Sequence, residues 1–185
     1  MESYGDTYYI KQTLEGKIES FAPLVNKYGP QIHALILRIV GNREDAEELS
    51  QDTFMKAFRH LDSFKGNCSF STWLYRIAYN TAISHTRKKK QEFLAIEETV
   101  LSNISEEEVS AALGATGSSQ QVQWLEASIR LLPSDERAII LLFYMKKKTI
   151  DELTHITGLT ASNLKTKLHR IRKKLFVLIK SMEEE

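Results

Sequence analysis

Residues 149–175, TIDELTHITGLTASNLKTKLHRIRKKL, read as two short helices around a glycine-centred turn, the second with a basic outer face. Thr149 and Glu152 stand at the S/T-x-x-E spacing of a capping box, in which a hydroxyl and a carboxylate satisfy backbone N–H groups left without partners at a helix start. A first helix is therefore expected from Ile150. Gly158 falls where the chain must turn sharply, Leu159 can pin that turn into a core, and Thr160 is a second N-cap, so a second helix is expected from Ala161. Leu164, Leu168, Ile171 and Leu175 recur at i, i+4, i+7 and i+11 and share one stripe. At roughly 100° per residue, Lys165, Thr166, His169, Arg170 and Lys173 flank or oppose that stripe. Such a face fits a major groove, where Lys and Arg reach guanine acceptors or phosphates and Thr and His can do either. Exposed Lys and Arg often serve solubility alone, but two caps, a turn glycine and a one-sided basic face together favour a reader of duplex DNA.

A formal net charge of only +1 over 185 residues looks wrong for a nucleic-acid binder until charge is mapped by position. Within 146–180 the basic residues include Lys146, Lys147, Lys148, Lys165, Lys167, Arg170, Arg172, Lys173, Lys174 and Lys180, against Asp151 and Glu152 alone. A second basic block is Arg87, Lys88, Lys89 and Lys90. Between the two, 91–123 carries Glu92, Glu97, Glu98, Glu106, Glu107 and Glu108 and no Lys or Arg. Two basic regions are thus separated by an acidic one. Cys68 is the only cysteine, so an intrachain disulfide or multi-cysteine zinc site is excluded and a reducing compartment is expected. The start, MESYGDTYYI, lacks the basic and apolar segments of a signal peptide, and no apolar run approaches a membrane span, so a cytoplasmic location without direct membrane insertion is expected.

Period-2 alternation is absent and prolines occur only at 23, 30 and 133, so the fold class is all-α. Asp6 is a candidate cap for a short helix ending near Gly16. Phe21, Leu24, Val25, Tyr28, Ile32, Leu35, Ile36 and Ile39 keep helical spacing across Gly29-Pro30, which should kink a helix rather than end it. Asn42 and Asp45 resemble a capping pair for a helix carrying Ala46, Leu49, Thr53, Phe54, Ala57, Phe58 and Leu61. Its acidic start complements the helix dipole, which accounts for Glu44 and Asp45. Glu47, Glu48 and Asp52 lie too far along for that, and form either a solvated face or a docking surface.

The glycine-containing, polar stretch 64–69 reads as a loop, with Ser69 or Ser71 capping a further helix that ends in the first basic block. Along it Trp73, Arg76, Ile77, Asn80, Ser84 and Arg87 project to one side. Trp73 and Ile77 alone would suit a core. A core stripe should not include Arg76, Asn80, Ser84 and Arg87, whereas aromatic, amide and guanidinium groups on one face suit unstacked bases. From about Gln91 to Gln121 the pattern decays around Gly114, Gly117, Ser118 and Ser119 into a flexible acidic linker, in which Val109 to Leu113 could form a short turn. A second domain restarts near Val122, with Pro133 ending one helix and Ser134 capping another. The domains are therefore 1–90, a linker over 91–121, and 122–185.

Two small helical domains, one suited to duplex and one to splayed bases, joined by an acidic tether, resemble the extracytoplasmic-function sigma factors, the short members of the bacterial sigma-70 family. The resemblance rests on GNREDAEELSQDTFMKAFRHLDSF followed by KGNCSFSTWLYRIAYNTAISHTRKKK, and on LPSDERAIILLFYMKKKTIDELTHITGLTASNLKTKLHRIRKKL. It implies sigma region 2 in the first domain and region 4, with its helix-turn-helix, in the second. It further implies core RNA polymerase docking through Asp45, Glu47, Glu48, Gln51 and Asp52. Contact with and melting of the minus-10 element would fall to Phe64, Lys65, Gly66, Asn67, Ser69, Trp73, Arg76, Asn80 and Arg87, with a flipped base held near Phe64 and Asn80. Minus-35 contact would fall to Lys165, Thr166, Lys167, His169, Arg170, Arg172 and Lys173, and the linker would lie along polymerase channels. Relatives are commonly held inactive by an anti-sigma factor, so the resemblance implies such a partner as well. Relatives also often carry glycine before the hairpin, where this chain has Lys147 and Lys148.

No catalytic centre, cofactor or metal is expected. His33, His60, His85, His155 and His169 are scattered without carboxylate or cysteine partners at metal spacing. Two other readings fit parts of the sequence. A dimeric helix-turn-helix regulator would bind a palindromic duplex without polymerase. A protein-interaction module, such as a sigma antagonist, would use its basic faces on protein. The two domains could also inhibit themselves by packing together, with the linker as hinge.

Overall fold

The computed structural model describes residues 5–88, 96, 98–114 and 119–184, and among these it contains helices and no strand. Lys89 and Lys90 of the first basic block, and Glu92, Glu97, Gly117 and Ser118 of the linker, lie outside the described residues. The helices are α1 (Asp6–Leu14), α2 (Ala22–Val40), α3 (Arg43–Arg59), α4 (Phe70–Lys88), α5 (Glu98–Ser102), α6 (Glu106–Gly114), α7 (Ser119–Leu131), α8 (Ser134–Tyr144), α9 (Ile150–Thr157) and α10 (Ala161–Glu183).

α2 is the central beam of the N-terminal part. Leu24, Tyr28, Ile32, Leu35, Ile36 and Ile39 are buried along one face against α3 and α4, each such side chain contributing about 1.5–3 kcal/mol relative to exposure. The helix runs through Pro30, and Gly41 ends it in a left-handed conformation, with φ 73° and its amide returned to the Leu37 carbonyl at 2.8 Å. Asn42 then caps α3, its side-chain oxygen accepting from the Asp45 amide at 3.0 Å, as the sequence spacing led one to expect. Asp6 does not cap α1. Gly5 holds that position, and the Asp6 carboxylate instead accepts from Lys27 and from the Tyr28 hydroxyl, tying α1 to α2.

The C-terminal part is built by α7 to α10, and its hairpin follows the reading of 149–175 closely. Thr149 and Glu152 make both halves of the capping box, Gly158 is left-handed with φ 76°, and Thr160 accepts from the Asn163 amide at 3.2 Å. α10 continues well past Leu175, because Leu178 and Ile179 extend the buried stripe against α7. Ser134 is not a cap. It is the first residue of α8, with Pro133 before it, and its buried hydroxyl lies 2.9 Å from that of Thr86 on α4.

The linker holds more order than its composition suggested. α5, α6 and the first turn of α7 fall within 91–121, and Leu101 and Val109 are 2% and 3% exposed. Ser105 caps α6 by accepting from the Glu108 amide at 3.3 Å, while the Glu108 carboxylate accepts from the Ser105 amide at 2.9 Å.

The two helical units share one continuous core rather than standing apart, with α9 packed on α4 and α8 packed on α2 and α4. Arg137 of α8, 5% exposed, fixes this junction. Its guanidinium donates to the Ile39 carbonyl at 2.8 Å and the Leu132 carbonyl at 2.9 Å, and also to the Arg130 carbonyl. Those carbonyls end α2 and α7, where helices leave acceptors unpaired and concentrate partial negative charge. One cation thereby serves two helix C-termini.

Candidate nucleic-acid interface

α4 separates its side chains by chemistry. Phe70, Leu74, Tyr75, Ala78, Tyr79, Ala82 and Ile83 are buried, while Arg76, Asn80, Ser84 and Arg87 are exposed and Trp73 and Ile77 lie half-buried at the boundary. The expected one-sided array is therefore brought together. All of it except Arg87 forms one wall of a 390 Å³ groove whose other wall comes from the end of α3 and the segment after it, through Lys56, His60 and Ser63. Those three residues were not anticipated, since only the packing of α3 on α4 places them opposite Asn80. Lys56 pairs with Asp52 at 2.7 Å and donates to Thr81 at 3.2 Å, so a cation is held at the groove margin.

The loop before α4 is anchored by aromatics. The Phe64 ring packs within 5.7 Å of Phe70 and 5.5 Å of Trp73, and Gly66 takes the left-handed conformation, φ 74°, that turns the chain back. Lys65, Gly66, Asn67 and Ser69 are exposed along it, and the Ser69 hydroxyl also caps α4 by accepting from the Thr72 amide at 3.2 Å. Cys68, partly covered in this loop, has its thiol pushed up by burial, which the nearby Arg76 charge only partly offsets.

On α3, Glu47, Glu48 and Gln51 are exposed and in helical register with Met55, whose side chain is 50% exposed. A helical projection of α3 places Met55 on the side of Glu48 and Gln51. Asp45 and Asp52 stand differently from these. Asp45 lies 3.3 Å from His85 Nε2, and Asp52 holds Lys56.

α10 presents Lys165, Thr166 and Arg170 on its exposed side, and Lys167, His169, Arg172, Lys173 and Lys174 are partly covered by contacts within the chain. Lys167 pairs with Asp135 at 2.8 Å; burial alone would raise the Asp135 carboxyl, yet the Lys167 contact and the backbone amides of Glu136 and Asp135 together hold the group below its ordinary value. Lys174 pairs with Glu136 at 2.7 Å. His169 pairs with Glu106 of α6, Arg172 lies 3.6 Å from the same carboxylate, and Lys173 donates to the Leu101 carbonyl at 3.1 Å.

The hairpin also touches α4. Glu152 accepts from Thr72 at 3.0 Å and from Lys148 at 2.9 Å, Lys148 reaches Ser71 at 3.3 Å and lies over the Tyr75 ring, and Arg76 donates to the His155 carbonyl at 3.3 Å. Burial pushes the Glu152 carboxyl up, but hydrogen bonds from the Thr149 backbone, Lys148 and Thr72 together hold it down at about 2. Among the described residues no group of His, Cys, Asp and Glu is placed to hold a metal ion, and no helix is long and apolar enough to cross a membrane.

Comparison with known families places this arrangement. Residues 24–92 match the model of sigma-70 region 2, and residues 122–175 match that of sigma-70 region 4. The chain is 34% identical over 173 residues to the ECF RNA polymerase sigma factor SigW of Bacillus subtilis (strain 168), covering 90% of this chain and 92% of that one. It is 30% identical over 177 residues to the ECF RNA polymerase sigma-E factor of Escherichia coli (strain K12), covering 92% of each. In fold it is similar to CnrH, solved with the cytosolic domain of CnrY, with TM-score 0.67 at 21% identity over 95% of this chain and 97% of that one. It is likewise similar to RpoE of Bartonella quintana, solved with the anti-sigma factor NepR, with TM-score 0.63 at 24% identity over 88% and 98%. The chain belongs to the extracytoplasmic-function sigma factors of the sigma-70 family. It is a transcription initiation factor that directs RNA polymerase to promoters, and it is not itself an enzyme.

Proposed function

We propose that this factor grips a promoter at two points, with α10 reading the minus-35 duplex and the groove beside α4 receiving the melted minus-10 strand. The partition into 1–90, a linker over 91–121 and 122–185 follows from that division. The observation that carries the reading is the composition of the groove. Trp73, Arg76, Ile77 and Asn80 of α4, with Lys56 of α3 facing them, combine apolar surface for stacking, an amide for a base edge and cations for the backbone, while the opposite face of α4 is buried in the core. The exposed stripe of Glu47, Glu48, Gln51 and Met55 on α3 is then the core polymerase contact, with Asp45 and Asp52 shaping it from within. Acting with polymerase on promoter DNA, the protein works in the cytoplasm. An anti-sigma partner is part of the same proposal, supported by the complexes in which CnrH and RpoE were solved.

Transcription with purified core polymerase tests the division of labour. Asn80→Ala should lower open-complex formation about tenfold while duplex binding by the holoenzyme is retained, since a base contact is worth about 1–3 kcal/mol. Lys165→Ala should weaken the upstream contact and reduce the salt slope of binding by about 1, leaving strand opening of the bound complex intact. Equal loss of both steps in both variants contradicts the assignment. If the protein shifts duplex DNA alone and adds no promoter-specific initiation to core polymerase, the two-point grip is wrong.

A further inference from the structure

The docked acidic segment α5–α6 has no part in the two-point grip. Its composition suits a solvated tether, yet Leu101 and Val109 are buried, and α6 is capped by the reciprocal Ser105 and Glu108 contacts. The segment is packed against α10. Glu106 places one carboxylate between His169 and Arg172, and the Leu101 carbonyl accepts from Lys173. His169, Arg172 and Lys173 stand at i, i+3 and i+4, which is one face of the helix. An anionic oxygen and a carbonyl oxygen from the same chain therefore occupy acceptor positions that phosphate oxygens would take on a bound duplex.

We propose that the Glu106 segment is a built-in competitor for duplex DNA, an internal stand-in for the phosphate backbone that holds the free factor off DNA until the linker is drawn away. The inference rests on the reading of α10 as the duplex-reading helix. Its physical basis is effective concentration. A short tether supplies its acceptor at a local concentration on the order of mM, whereas non-specific duplex binding has dissociation constants of roughly 10⁻⁴–10⁻⁶ M. The internal contact therefore weakens binding to arbitrary DNA by a factor set by that local concentration over its own dissociation constant, and it yields when a specific promoter contact or polymerase claims either partner.

Fluorescence anisotropy of the full-length protein with a labelled random-sequence duplex at fixed salt provides the test. Glu106→Gln should bind about fivefold tighter than wild type, the effect of releasing partly exposed ion pairs. Glu107→Gln removes the same charge from the exposed neighbouring position and should stay within about twofold of wild type. If both variants gain equally, or if Glu106→Gln does not gain, the competitor does not exist. Lys165→Ala separates this failure from a failure of the α10 reading. Undiminished duplex binding in that variant removes α10 from the interface, while weakened binding together with matched Glu106 and Glu107 variants removes the competitor alone. Amide hydrogen exchange gives a second readout, since 106–114 should exchange faster when wild type is saturated with duplex. Unchanged protection there overturns the proposal.

Discussion

Along α4, Arg76, Asn80 and Ser84 stand exposed in the wall of a groove, whereas along α10 Lys167, His169, Arg172 and Lys173 are each met by a carboxylate or carbonyl from elsewhere in the chain. The two helices carry similar side chains, and a helical projection assigns both a polar outer side. The projection gives the side and not its occupancy. What decides occupancy is whether a complementary surface lies within reach, and here the acidic first turn of α8 and the linker both lie beside α10. Bringing the two helices together in one body also matters, because Lys148 reaches Ser71, and α9 reaches Thr72 and Arg76, at the start of α4, leaving the rest of its polar side exposed.

The comparison breaks most severely at Arg137, which holds the two helical units in one body. Arg137→Met keeps the apolar stem and removes the donors to three buried or part-buried carbonyls. Each lost charge-assisted bond is worth about 1.5–3 kcal/mol, and the carbonyls of Ile39 and Leu132 are left without that donor. A loss of at least about 3 kcal/mol in urea unfolding is expected, with a broadened transition as the N- and C-terminal units uncouple. A variant that unfolds at the wild-type midpoint would show that the junction does not depend on this residue.

Much of the difference between the helices was open to sequence reading, and the remainder was hidden for definite reasons. The hairpin caps at Thr149 and Thr160, the Asn42 cap and the polar side of α4 are local features, set by residues three or four positions apart. The opposing wall of the groove was not legible, because Lys56, His60 and Ser63 reach Asn80 only through the tertiary packing of α3 on α4. Nor was the role of Arg137, whose acceptor on α2, the Ile39 carbonyl, is 98 residues away in the chain. The order within the linker was legible in part. Ser105 and Glu108 stand at capping-box spacing, with Val109 directly after, but an acidic, glycine-containing stretch outweighed that short signal. The hydroxyl of Ser134 shows the converse. It has a capping residue's chemistry, yet the chain entering α8 at Pro133 places it one position inside the helix, where Thr86 becomes its partner.

Glu152 sharpens the comparison at the point where α9 touches α4. Its folded carboxyl lies at about 2, below the ordinary value of 4.5, so the charged form is favoured by folding. The sign of the linkage follows from that. The stabilisation is fully present above about pH 4.5 and is lost as pH falls from there through about 2. Glu152→Gln retains an acceptor for the capping box while removing the charge that meets Lys148. After allowance for solvent around a side chain that is 30% exposed, the variant should be less stable by about 1 kcal/mol at pH 7. Its stability should also fall less steeply than that of wild type between those pH values. Parallel acid profiles for the two proteins would assign the depressed carboxyl no part in holding α9.

The smallest effect concerns the turn that delivers α9 to α4. Lys147 is the non-glycine residue with positive φ, 51°, among the described residues. The conformation is required by the hydrogen bonding at the end of α8. The amides of Met145 and Lys146 both return to the Leu141 carbonyl, at 2.9 and 3.2 Å, and the Lys148 amide then reaches the Leu142 carbonyl at 3.0 Å. A left-handed residue between them turns the chain so that Lys148 faces Ser71 and Glu152. For an L-residue this conformation costs about 1–2 kcal/mol, and glycine avoids it at an entropic cost of about 0.5–1 kcal/mol. Lys147→Gly should therefore stabilise the protein by about 0.5 kcal/mol, raising the melting temperature by about 1–2 °C in a chain of this size. Lys147→Ala removes the same side chain without relieving the backbone and should not rise with it. A glycine variant that melts below the alanine variant would mean that the left-handed turn carries no strain here.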